Sequence, residues 1–180
     1  MTAHPPASAP RIVLQTERLL IRHMTPDDAA FMLELLNGDA WLRFIGDRNV
    51  RTLVDARHYI LDGPVEMVDR LGFGFYIVAL KENGCPIGVC GLARRDFLDD
   101  VDIGYGFASA YWGKGYAHEA ASAVLAYAVE ELGVKRIVAT VRAGNAPSIA
   151  LLNKLGLRFE RPIAHPDGTR DLQLFSIAFA

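Results

Sequence analysis

At 180 residues, with 51% hydrophobic and 22% charged side chains, the chain has the make-up of one globular domain rather than of a disordered segment. A net charge of −2 gives no overall electrostatic footprint for nucleic acid, and no apolar run approaches the ~20 residues that cross a bilayer. Cys85 and Cys90 lack metal-site spacing and the five histidines are scattered, so no metal is expected and both thiols read as reduced packing residues of a cytoplasmic protein.

Residues 1–10, rich in Pro and Ala, read as a flexible tail without the basic start and apolar core of a signal peptide. A single domain is expected over 11–180. Leu19 to Met24 is strand-like, and Thr25-Pro26-Asp27-Asp28 then starts a helix: a cap, a first-turn proline and two acids at the positive end. Met32, Leu35 and Leu36 share its apolar face, and Asn37-Gly38 ends it. A second helix is predicted from Thr52 to Leu61, with Thr52 and Asp55 spaced as a capping box. Gly63-Pro64 is expected to break it before a short helix resumes over Val65 to Leu71.

Phe73 to Leu80 and Ile87 to Leu92 read as strands joined through Asn83-Gly84, a hairpin signal, and Val101 to Ala108 as a third. A helix follows from about Gly115 to Leu132, closed by Gly133. Ile137 to Val141 is a strand, Asn145 to Leu155 a helix stopped by Gly156, and two strands flank Pro166-Asp167-Gly168. This order predicts a mixed α/β sheet in one domain.

Gly113-Lys114-Gly115-Tyr116-Ala117, between a strand and an Ala-rich helix, is the most informative stretch. The first N–H groups of a helix have no internal partner and its dipole favours anions, so this turn suits a phosphate, and glycines let it approach the main chain. A Walker A loop is excluded, because Lys114 is followed by Gly115 and Ala108 stands where the first glycine belongs. A dinucleotide fingerprint fails as well: counted from Gly113 its third glycine is His118, and from Gly104 it is Ser109.

Ile103-Gly104-Tyr105, then Tyr111-Trp112-Gly113-Lys114-Gly115-Tyr116-Ala117 and Glu119-Ala120, resemble the acetyl-CoA-binding segment of the GNAT N-acetyltransferases, most closely the Rim-type branch that acetylates ribosomal-protein amino termini. Thr16-Glu17-Arg18-Leu19 with Arg22 resembles that branch's opening strand. Asn145-Ala146-Pro147-Ser148 and Lys154-Leu155-Gly156-Leu157 resemble its second conserved block. The likeness covers residues 12–179. It implies a splayed, mostly antiparallel sheet of six or seven strands flanked by about four helices, gripping acetyl-CoA between the fourth and fifth strands. By the same resemblance the pantetheine arm pairs with the main chain near Phe107 and Ala108. The pyrophosphate sits on Gly113, Lys114, Gly115, Tyr116, Ala117 and His118, with Trp112 in place of the family's usual Gln or Arg. Asn145 either hydrogen-bonds coenzyme A or simply caps its helix.

Many GNAT enzymes carry a Tyr that protonates the departing thiolate, and Leu152 stands at that place here. The Rim-type pattern makes Ser148 the replacement candidate, against a plain helix-start hydroxyl. Asp102, on the strand where the family places an acid, is the candidate general base, against an ordinary strand acid beside Asp99 and Asp100. Glu119 suits the helix dipole and reads as structural. The expected activity is acetyl transfer from acetyl-CoA to a primary amine, either a protein N-terminal α-amine or a small molecule, by a monomer or homodimer. A non-catalytic acyl-CoA-binding module of the same fold is the alternative. Acceptor contacts are expected from Trp41 to Arg51, with Trp41, Arg43, Phe44 and Arg48 as pocket candidates.

Overall fold

A computed structural model describes residues 10–180. All but the last residue of the predicted tail, 1–10, thus lies outside the described residues. Eight strands form one sheet: β1 (Ile12–Gln15), β2 (Leu19–Arg22), β3 (Phe75–Leu80), β4 (Pro86–Ala93), β5 (Val101–Phe107), β6 (Arg136–Arg142), β7 (Arg158–Ala164) and β8 (Asp171–Ala178). Their order is β1-β2-β3-β4-β5-β6-β8-β7. Every neighbouring pair is antiparallel except β5 and β6, which run parallel and pair only at Val101↔Ile137 and Asp102↔Val138. Beyond that short contact the two strands part, and the sheet is splayed there.

Helices cover both faces. On one, α5 (Tyr116–Glu130) and α6 (Ala146–Lys154) bury Ala120, Ala121, Val124 and Leu152 against Ile21, Ile103 and Ile137. On the other, α1 (Ala29–Leu36) and α3 (Leu53–Ile60) bury Met32, Leu36, Ala56 and Ile60 against Ile77, Ala79 and Val89. Because side chains alternate along a strand, Val101 and Ile103 face α5 while Asp102, Gly104 and Gly106 face the α1–α3 side. Likewise Ile137, Ala139 and Val141 lie towards α5, so Val138, Thr140 and Arg142 lie on the opposite face.

Three expectations are corrected. The sheet has eight strands rather than six or seven, since the residues before the expected first strand form β1, paired with β2; the expected fourth and fifth strands are therefore β5 and β6. Asn37-Gly38 does end α1, but a further helix, α2 (Asp39–Phe44), begins at once and carries Trp41. Gly63-Pro64 does not break its helix. A π turn over Leu61–Val65 takes up Pro64, and α4 (Glu66–Leu71) continues directly, the Glu66 N–H reaching back to Leu61 O. One wide turn absorbs a residue that lacks an N–H and would otherwise clash with the carbonyl four positions back. Counted with this continuous α3–α4 segment, the described residues hold five helical units rather than about four. The Thr52–Asp55 capping box forms as predicted, Asp55 N donating to Thr52 Oγ1 at 3.1 Å and Thr52 N to Asp55 Oδ2 at 2.9 Å.

Candidate active site

Beyond Asp102 the main chain of β5 faces a gap. Ala108 N donates to Ile87 O at 3.0 Å, so the alternation of an antiparallel ladder turns the N–H and C=O of Gly106 towards β4 and those of Tyr105 and Phe107 towards the splay. The Phe107 carbonyl accepts from Trp112 Nε1 at 2.8 Å. That bond pins the turn leading to α5 and leaves the Phe107 N–H facing the gap. Ala108, expected to share the pantetheine contact, has its N–H committed to β4.

The turn itself leaves main-chain donors free. Gly113 and Gly115 have φ of 72° and 83°, left-handed values that other residues adopt only with strain. The first helical bond of α5 runs from Glu119 N to Gly115 O. Among the described residues, the N–H groups of residues 113 to 118 have no acceptor. Six free donors thus lie at the positive end of a 15-residue helix, beside the mouth of the splay. Lys114 is exposed, its Nζ 5.5 Å from the centre of the Tyr111 ring.

This turn is tied to the β1–β2 edge of the sheet. Arg18 Nε donates to Glu119 Oε2 at 2.7 Å, and its Nη1 donates to Lys114 O at 2.9 Å. The guanidinium also lies over the Tyr116 ring, 4.5 Å from its centre. Thr16 Oγ1 and the Arg18 N–H donate to Glu119 Oε1 at 2.5 and 2.9 Å. Partial burial works to raise the Glu119 pKa, but these donors together hold the carboxylate below its ordinary range. Glu119 is therefore structural, as expected. The sequence shows Arg18 only as part of the opening-strand motif, because the partners that give it a role lie about a hundred residues away.

Residues 18–158 match the family model described as "Acetyltransferase (GNAT) domain". The chain belongs to the GNAT acetyltransferases. It is 30% identical over 147 residues to the uncharacterized N-acetyltransferase YnaD of Bacillus subtilis, covering 82% of this chain and 83% of that one. A GNAT-family acetyltransferase structure from Bacillus anthracis superposes with a TM-score of 0.76 at 28% identity, covering 91% and 96% of the two chains. The structure of RimL, a ribosomal L7/L12 α-N-protein acetyltransferase in complex with coenzyme A, is similar in fold, with a TM-score of 0.80 at 17% identity over 94% and 98%. The site of this GNAT acetyltransferase thus combines a splay between two parallel strands with a row of free main-chain N–H groups. No group of His, Cys, Asp and Glu among the described residues is arranged to hold a metal, and none of the helices described is long and apolar enough to cross a membrane.

Two walls of the acetyltransferase's splay meet through a side-chain pair absent from the sequence reading. Tyr105 of β5 and Ser148 of α6 share a hydrogen bond at 2.9 Å between their hydroxyls, and Tyr105 Oη also donates to Ser148 O at 3.2 Å. Burial pushes the Tyr105 phenol up to about 12, so it stays protonated. Asn145 caps α6, its Oδ1 accepting from Ser148 N at 3.2 Å. Leu152, at the place of the family's usual Tyr, is 1% exposed and packed in the core.

Asp102 sits at the apex of the splay, 2% exposed. Its Oδ2 accepts from Arg95 Nε at 2.5 Å, while its buried Oδ1 has no partner. Burial raises its pKa, opposed by the Arg95 charge and hydrogen bond and more weakly by the Thr140 main chain. On the same face Trp41 lies against Gly106, where a Cβ would come within 2.5 Å of Trp41 Cζ3. Of the other acceptor-side candidates, Arg43 stacks 4.9 Å from the Phe44 ring centre and Arg48 is exposed.

Proposed function

We propose that this GNAT enzyme transfers the acetyl group of acetyl-CoA to a primary amine by direct attack within a ternary complex. The observation that carries the reading is the unpaired N–H row of residues 113–118 at the mouth of the β5–β6 splay. In this reading the pyrophosphate lies on that row, with Trp112 and Lys114 beside it. The pantetheine arm follows the open edge of β5 at Tyr105 and Phe107, with Asn145 across from it. The motifs at 103–120 and 145–157, with the likeness to RimL in fold, support placing the enzyme near the Rim-type branch and an α-amine among its acceptors. Its two described cysteines are free thiols, which supports a cytoplasmic setting.

The chemistry needs a neutral amine, a polarised carbonyl and a protonated leaving group. Neutralising an α-amine of pKa ~7.8 at pH 7 costs roughly 1 kcal/mol, against nearly ~5 for a lysine side chain of pKa ~10.4. A distant base therefore suffices for an α-amine. Asp102 takes the amine proton through a chain of waters, since it stands four residues, about 13 Å of strand, before Gly106. The Phe107 N–H polarises the thioester oxygen. As the new C–N bond forms and the C–S bond breaks, Ser148 gives its proton to the sulfur and recovers one from Tyr105, whose phenol takes a proton back from solvent as the products leave. Tyr105 supplies the phenol that position 152 lacks, from the opposite wall.

The test is thiol release from acetyl-CoA across a panel of amines and peptides. Turnover on at least one α-amine is expected. Micromolar acetyl-CoA binding with no turnover on any acceptor would instead make the protein an acyl-CoA-binding module.

A further inference from the structure

Three buried side-chain polar atoms among the described residues have no hydrogen-bond partner: Trp41 Nε1, Asp102 Oδ1 and Arg142 Nε. Their positions are not scattered. Asp102 and Arg142 lie on the α1–α3 face of β5 and β6, and Trp41 rests on Gly106 of that same face. Buried polar groups are ordinarily paired, and a buried guanidinium Nε with no acceptor is the most telling of the three. Stranded groups gathered on one side of a substrate cleft are what a missing substrate would satisfy.

Arg142 is the informative one. Among the described residues no carboxylate forms an ion pair with it and no oxygen accepts from its guanidinium. Counting four residues along each strand from the last β5–β6 pair, Asp102↔Val138, brings Gly106 level with Arg142 across the splay. Arg142 also faces Leu172 at the start of β8. Just before it, Arg170 donates to Ile45 O at 2.7 Å, drawing the β7–β8 turn against the end of α2 and enclosing this end of the cleft. An acceptor amine attacking a thioester held along Tyr105 and Phe107 would have its nearest substituent between Arg142 and the Trp41 indole.

We infer that Arg142, with Trp41 Nε1 as a second donor, receives a carboxylate one carbon from the reacting amine, so that the preferred acceptor is an α-amino acid with a free carboxyl group. A guanidinium presents a planar fork that matches a carboxylate, and a substrate that closes over its buried Nε edge is favoured by a full negative charge. A peptide N-terminus offers only a neutral carbonyl at that distance, and a polyamine brings further positive charge. This assignment rests on the acetyltransferase reading above and narrows its acceptor.

The experiment measures kcat/KM with acetyl-CoA for the twenty L-amino acids, their α-amides, spermidine, and peptides beginning with Ser or Ala, by thiol release with mass identification of the products. At least one amino acid is expected to exceed its own amide by ~30-fold or more, the usual loss when one member of a buried charge pair is removed. Arg142→Met should bring that ratio close to one while leaving the calorimetric Kd for acetyl-CoA unchanged, and Arg142→Lys should retain part of it. The inference is overturned if amides, peptides or spermidine turn over as fast as the free acids, or if Arg142→Met keeps the discrimination. Should Arg142→Met fail to fold, the wild-type acid-to-amide ratio decides alone. Absence of thiol release with every acceptor removes the acetyltransferase reading as well, a result distinct from turnover with the wrong preference.

Discussion

Arg18 and Glu119, 101 residues apart in sequence, form an ion pair at 2.7 Å that fastens the β1–β2 turn to the first turn of α5. The same guanidinium holds the Lys114 carbonyl, so one side chain sets both the loop and the helix whose N–H groups face the proposed pyrophosphate. Arg18 is 42% exposed, which limits the pair to about 1 kcal/mol. Arg18→Met is therefore expected to weaken acetyl-CoA binding about fivefold, read as Kd by calorimetry, with kcat little changed. A fall in kcat at constant Kd would show that the clamp acts on chemistry rather than on the donor site.

The two glycines of the turn should respond differently to alanine. Both positions are left-handed, a conformation that costs about 1–2 kcal/mol with a Cβ, so each variant should lose a few degrees of Tm. At Gly113 the added Cβ meets nothing within 4 Å. At Gly115 it lies 3.3 Å from Arg18 Nη2, so the guanidinium must give way slightly. Gly115→Ala should thus raise the acetyl-CoA Kd more than Gly113→Ala at similar Tm. Equal affinities would mean that the Arg18 contact contributes nothing to donor binding.

Tyr105 and Ser148 are expected to act as one proton-delivery unit. Tyr105→Phe and Ser148→Ala should each lower kcat about 10- to 100-fold at pH 7, and the double variant should be hardly worse than either. The loss should shrink above pH 9, where a thiol of pKa ~8.5 leaves readily as the thiolate. Multiplicative losses, constant across pH, would reduce Ser148 to a side chain at a helix start and Tyr105 to packing.

What was legible in the sequence was local. The glycine turn, the α5 start, the Thr52–Asp55 box and the Asn145 cap each depend on neighbours within a few residues, and all formed where their spacing places them. Gly63-Pro64 misled because breaker chemistry says where a regular turn fails, and here a π turn absorbed the fault. β1 escaped because four edge residues carry little periodic signal. Arg18 and Tyr105 stand within motifs the sequence shows, but their roles, like that of Arg142, were illegible for a different reason. Their roles come from partners, or missing partners, that only the folded sheet brings alongside, and an arginine in a strand bears no mark of being unpaired.

Asp102 carries a prediction in which stability and activity move in opposite directions. Its pKa is raised in the folded state by burial, so between the unfolded value near 3.9 and the raised folded value the native state holds the proton more tightly. Stability from this group is therefore lost as pH rises through that window and regained as pH falls. The carboxylates held low, such as Glu119, have the opposite slope, so the comparison needs Asp102→Asn at each pH. Wild type should gain Tm relative to the variant as the pH is lowered from 7 towards the unfolded value, with Asn at least as stable as Asp at pH 7. Activity should go the other way. At pH 6 an α-amine of pKa ~7.8 is mostly charged and needs a base, so kcat/KM should fall about 100-fold; at pH 9 the amine is already neutral and the deficit should nearly close. An unchanged pH–rate profile in Asp102→Asn would leave Asp102 as a buried partner for Arg95 and move the base elsewhere.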